Sequence, residues 1–99
     1  VVGDNGLAGS GANQLRFPVS LKLDADANMF VVDNNNHRIQ LYCRNSTSYS
    51  LGRTIAGTGV AGATARNLTY PAGLVLDAER NLYVADTSNH RIQRFRRLN

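Results

Sequence analysis

Shifted by 53 residues, the chain lies on itself. Pro18 falls on Pro71, and the register runs without a gap from Gly6 on Gly59 to Arg44 on Arg97. FPVSLKLDADANMFVVDNNNHRIQLY at 17–42 answers YPAGLVLDAERNLYVADTSNHRIQRF at 70–95, and NHRIQ recurs intact. Upstream, VGDNGLAG at 2–9 aligns with AGTGVAG at 56–62 with one residue dropped. Such a period marks one supersecondary unit used twice, each copy burying its apolar faces on neighbours. The two units cover nearly all of the 99 residues.

Each unit reads as short strands. VSLKLD and AGLVLD follow a Phe-Pro or Tyr-Pro turn; MFVVD and LYVAD follow a turn holding Asn28 or Asn81. RIQLY and RIQRF alternate with a period of two, and RTIAG at 53–57 fits a fourth strand. No helical period is long enough to bury a face, and Pro and Gly punctuate the junctions. Four short strands per unit suit a propeller blade, whose sheets stack radially. The expectation is an all-β fold of β-propeller blades, four antiparallel strands each and two blades per chain. The first unit spans about 4–56 and the second about 57–99. VVG at 1–3 corresponds to IAG at 55–57, so the second unit is expected to borrow 1–3 of a neighbouring copy as its fourth strand.

As a set, the proline before an inner strand, the Asp at its end, the LYVAD strand and NHRI followed by an aromatic resemble an NHL repeat. Residues 17–42 resemble a second one. The resemblance implies a β-propeller, usually of six blades. It does not imply one activity: similar propellers bind RNA, hold protein partners, act as extracellular sensors or, in one branch, work as a zinc-dependent lyase. Fold alone does not decide among these.

Composition limits the options further. The formal charge is +4, from ten Arg and one Lys against seven acidic residues. This permits an anionic partner without specifying one. Cys43 is the lone cysteine, so no intrachain disulfide or cysteine-cluster metal site is possible. Apolar runs are far too short for a bilayer-spanning helix, and no membrane partner is expected. The chain opens on Val without an initiator Met, which reads as a processed product or an excised or designed fragment.

Repetition decides how the polar residues are read. Catalysis needs differentiated groups in one place; a scaffold needs the same group in every blade. Asp33, His37, Arg38, Asp86, His90 and Arg91 recur at equivalent positions and are read as structural, with Arg38 on Asp33 and Arg91 on Asp86. Two histidines without H-x-H or H-E-x-x-H spacing make no metal site. Asp24 and Asp77 sit at strand ends, where a carboxylate accepts bonds from its own turn. No catalytic residue, metal or cofactor is expected, and the chain is read as no enzyme. The glycine-rich crossings at 4–16 and 57–69 lack the Lys-Ser/Thr and the helix of a phosphate cradle.

Ligand contacts are expected on the face carrying the turns between second and third strands: Asn34, Asn35 and Asn36, and Thr87, Ser88 and Asn89. These suit a protein, a glycan or a small polar ligand. The alternative is RNA on Arg91, Arg94, Arg96 and Arg97, two of which depart from the repeat: Arg94 replaces Leu41 and Arg96 replaces Cys43. A metal-dependent lyase ranks third. Asn45 and Asn67 head glycosylation sequons, which would suit an extracellular protein, although composition supplies about one such triplet by chance. Two blades do not close a ring, so the partner first expected is a further copy of the chain: three copies would give six blades, unless the two belong to a longer propeller. Leu21, Leu23, Val32, Leu74, Leu76 and Val84 are expected to line the faces left open.

Overall fold

The computed structural model describes residues 2–3, 6–45, 48–49 and 51–96. Two antiparallel sheets dominate. The first contains β1 (Pro18–Leu23), β2 (Met29–Asp33), β3 (Arg38–Tyr42) and, after a small hairpin of β4 (Arg44–Asn45) and β5 (Ser48–Tyr49), the outer strand β6 (Arg53–Gly57), in the order β1-β2-β3-β6. The second holds β7 (Gly73–Leu76), β8 (Leu82–Asp86) and β9 (Arg91–Phe95). A one-turn 3-10 segment, Asn34–Asn36 or Thr87–Asn89, links second to third strand in each sheet. Among the described residues no helix is long and apolar enough to cross a membrane.

The backbone obeys the 53-residue period in detail. Side-chain-bearing residues with positive φ come in equivalent pairs: Phe17 and Tyr70 (51° and 48°), Ala27 and Arg80 (64° and 67°), His37 and His90 (53° and 54°). Non-glycine residues rarely adopt this left-handed conformation, so its recurrence at three paired positions means the turns are imposed by their surroundings. Pairing registers match as well: Asp33 faces Arg38 across β2 and β3, and Asp86 faces Arg91 across β8 and β9.

Period-two alternation divides each sheet into two faces. In the first sheet Val32, Ile39 and Ala56 share one face; in the second Leu74, Leu82 and Val84 share one. These two faces pack together, with Leu68 of the crossing between them, and form the buried core. Phe30, Ile55, Leu76 and Phe95 extend it. Each fully buried side chain of this size stabilises the fold by about 1.5–3 kcal/mol. Hence blade-on-blade contact, rather than either sheet alone, holds the molecule together.

That packing corrects the expected open faces. Val32, Leu74 and Val84 are buried, and Leu76 is half-buried, because the two units cover each other on that side. Leu21 and Leu23 are exposed as expected, at 55% each. On the second blade the open face is the opposite one, where Val75 and Ile92 are 54% and 67% exposed.

Candidate functional site

The turn between second and third strands is built on a buried aspartate. Asp33 and Asp86 are both fully buried. Asp33 Oδ1 accepts from the Arg16 N–H at 2.7 Å; its Oδ2 accepts from Asn36 Nδ2 at 2.8 Å and Arg38 Nε at 2.7 Å. Asp86 repeats this with the Thr69 N–H, Asn89 Nδ2 and Arg91 Nε at 2.7, 2.9 and 2.7 Å. Burial pushes the Asp86 carboxyl up, but the bonds from Thr69, Asn89 and Arg91, and the Arg91 charge, hold it below the ordinary carboxylate range.

Each arginine then ties down the glycine-rich crossing that precedes its blade. Arg38 donates to the carbonyls of Ser10, Gly11 and Gln14, and Arg91 to those of Ala63, Thr64 and Asn67. Gln40 and Gln93 reach the next carbonyls, Ala12 and Ala65. A planar guanidinium with five fixed donors can satisfy a bent segment that has no strand partner. The Asp–Arg pair therefore organises loops and presents no free acid, base or nucleophile.

Asp24 and Asp77 close the opposite turns. Each Oδ1 accepts backbone N–H groups of its own turn, from Asp26 and Asn28 or from Glu79 and Asn81. At Asp24 burial pushes the pKa up, yet the Asn28 and Asp26 bonds and the Arg80 charge leave it lowered. At Asp77 the bonds from Asn81 lead in lowering it.

His37 has a different use. Its Nδ1 accepts the Tyr70 backbone N–H at 3.0 Å, and its ring meets the Tyr70 ring edge-on at 4.5 Å between centroids. Asn34 Nδ2 donates to the Pro71 carbonyl at 2.9 Å. Both contacts latch the first blade's turn onto the start of the second blade. His90 is exposed, and Phe17, the repeat equivalent of Tyr70, is 70% exposed. Among the described residues no group of three or more His, Cys, Asp or Glu side chains is arranged to hold a metal.

The six candidate ligand contacts thus divide. Asn36 and Asn89 turn inward: besides their aspartates they donate to the Gly9 and Gly62 carbonyls at 2.8 and 2.7 Å. Asn34 belongs to the latch. Asn35, Thr87 and Ser88 keep side chains that make no hydrogen bond among the described residues, with Thr87 and Ser88 exposed. The signal that separates the inward pair lies in the sequence, because Asn36 and Asn89 begin the repeated NHRIQ.

Of the arginines weighed for RNA, Arg91 makes four donations within the chain and has little left for a phosphate. Arg94 and Arg96 are exposed; Arg97 lies outside the described residues. Asn67 is also occupied: Nδ2 donates to Thr58 Oγ1 at 2.9 Å and the Val60 carbonyl at 3.1 Å, bracing the crossing. A glycan on that nitrogen leaves it a single N–H, so at least one of these bonds would be lost. The Asn45 side chain lies outside what the structure describes.

The family model described as NHL repeat matches residues 68–95, the span from the end of the second crossing through β9. This segment is thus similar to an NHL repeat. The match takes in the Thr69–Asp86–Arg91 arrangement and Tyr70, whose N–H donates to His37 in the latch. The first blade, aligned to the NHL unit at a constant offset, reproduces its strand pairing and its aspartate network bond for bond. A search of the curated proteins finds no match to the chain.

Proposed function

We propose that the chain is a non-catalytic binding and scaffold module whose blades complete a propeller ring by head-to-tail association of copies, three copies giving six blades. The carrying observation is that the two open faces are the repeat counterparts of the two faces already packed together inside the chain. Leu21 and Leu23, exposed on the first blade, are equivalent to Leu74 and Leu76 of the second. Ile92, exposed on the second blade, is equivalent to the buried Ile39 of the first. An exposed apolar patch of this kind marks an interaction surface. A second copy offers it a fit that one seam of the molecule already uses.

Three further matches support the same partner. β9 has one unpaired edge among the described residues, where β3 is covered by β6. Gly3 and Gly57 both have positive φ, 102° and 80°, and Gly6 and Gly59 follow at 87° and 89°. Gly3 therefore has the backbone bend that ends β6, and in the borrowed register it would face Arg91 as Gly57 faces Arg38. The exposed His90 and Phe17 would form the latch that His37 and Tyr70 form within the chain. A heterologous contact of this type closes when its rotation fits the ring. Ligands would then meet the ring face carrying Asn35, Thr87 and Ser88.

Native mass spectrometry at micromolar concentration tests the reading. A trimer is expected, and Leu21→Asp or Ile92→Asp should release monomers, since both side chains are exposed within a single chain. A stable, folded wild-type monomer would sink the proposal. A tetramer would keep the ring and refute the count.

A further inference from the structure

Between the blades, at the end of the seam where the turn 24–28 lies, the packing leaves a partly enclosed cavity of about 110 Å³. Its walls are apolar on both sides: Phe30, Leu41 and Ile55 from the first blade, Leu76, Leu82 and Phe95 from the second. Its rim is cationic, with Arg53 from β6, Arg80 from the turn before β8 and Arg96 just after β9. Asp24 and Asn28 complete it, and both are engaged with each other in their own turn. Arg80 has its own counter-ion, Asp26, at 3.4 Å. Arg53 and Arg96 have no carboxylate partner among the described residues.

This site is absent from the repeat pattern. Arg80 stands where the first unit has Ala27, Arg96 where it has Cys43, and Leu41 where the second has Arg94. The groups that repeat (the aspartates, Arg38 and Arg91) are all used to hold loops. Arg80 and Arg96 on the cavity differ from their repeat counterparts, whereas Asp24 and Asn28 recur as Asp77 and Asn81 and are engaged in their own turn. Two uncompensated guanidiniums over a small apolar box match one chemical class: a monocarboxylate carrying a single aromatic ring. The ring fills the box, as small aromatic molecules fill apolar cavities of similar size in other proteins. The carboxylate meets the planar donors of Arg53 and Arg96, which suit it better than any neutral group.

We propose that the seam between the two blades is a binding site for a small aromatic monocarboxylate, with Arg53 and Arg96 as its anion-recognising residues. The site lies wholly within one chain, so it is tested whether or not copies associate, and oligomeric state is recorded on the same samples.

The full chain is titrated with phenylacetate and, separately, with phenylacetamide, following methyl resonances by NMR. Phenylacetate should shift Leu41, Ile55, Leu76 and Leu82 saturably. The amide, and the Arg53→Gln/Arg96→Gln double variant, should each weaken binding by about tenfold, the scale of a lost charge-assisted hydrogen bond. Both arginines are exposed, so the double variant should keep the wild-type melt. Ile55→Phe fills the box and should abolish binding with both arginines in place. Equal affinity for acid and amide, unchanged binding by the double variant, or shifts confined to other methyls would overturn the assignment. So would a dipeptide ending in Phe that binds tenfold tighter than phenylacetate, because the ligand would then be a peptide terminus.

Discussion

Replacing Asp86 by Asn separates the scaffold reading of the Asp–Arg pair from any other. The native carboxylate accepts three bonds, from the Thr69 N–H, Asn89 Nδ2 and Arg91 Nε. An amide that keeps its oxygen toward Thr69 turns an NH2 group toward two other donors. Arg91 then sits, with its side chain 28% exposed, without its counter-ion. Breaking a fully buried ion pair on one side costs about 3–5 kcal/mol. Arg91 retains three carbonyl partners and some water, so the loss here should be about 2–3 kcal/mol at neutral pH. For a domain of this size that lowers the melting temperature by about 10–20 °C.

The pH dependence makes the test sharper. The folded pKa of Asp86 lies below its unfolded value, so its stabilisation is complete above the unfolded pKa of about 3.9. It is lost as pH falls through the folded pKa. The gap between wild type and Asp86→Asn should therefore be constant from neutral pH down to about pH 5 and close below pH 4. Asp24 and Asp77 shift in the same direction but act equally in both proteins and cancel in the difference. Thermal melts followed by circular dichroism, at one protein concentration and several pH values, read both quantities. A variant melting within about 3 °C of wild type at pH 7, or a gap unchanged down to pH 2, would refute the reasoning.

Two further substitutions probe the backbone. Gly57→Ala should destabilise by at least about 2 kcal/mol in urea denaturation, since φ is +80° and a Cβ would lie 2.4 Å from the His37 carbonyl oxygen. Ala27→Gly should stabilise by about 0.5–1 kcal/mol in the same assay, because Ala27 holds φ +64° with a Cβ that glycine lacks.

The strands, the two-unit organisation and the Asp33–Arg38 and Asp86–Arg91 pairs are legible in the sequence. Alternation marks which residues share a face, and exact repetition marks which polar groups are common to both blades. Other features leave no local signal. Phe17, Ala27, His37 and their equivalents take up left-handed backbone because neighbouring strands force the turn, and none is the Gly or Asn that would announce it. The hairpin of β4 and β5 has no such turn dipeptide. Burial is the least legible. Leu74 and its equivalent Leu21 occupy the same place in matching patterns, yet one is 4% and the other 55% exposed. Sequence specifies the face, and only the presence of a neighbour decides whether the face is covered.

The same contrast separates scaffold from site. A group required by the blade itself must be present in each blade, and the Asp–Asn–Arg arrangement is, to within 0.1 Å in its bonds to the aspartates. A group that serves one ligand needs to be present once. The His37–Tyr70 latch belongs to the first kind, for its counterparts His90 and Phe17 have kept the backbone of a latch while lacking its contact. Arg80 and Arg96 belong to the second. Arginines where the first blade has Ala27 and Cys43 remove nothing that either blade needs, and they change the charge of one seam only. A ring assembled from such units would repeat its scaffold six times and its cationic seam three times, once for each chain. Half of its seams would then carry the aromatic-acid site, and a stoichiometry of one phenylacetate per chain rather than per blade is the arithmetic consequence.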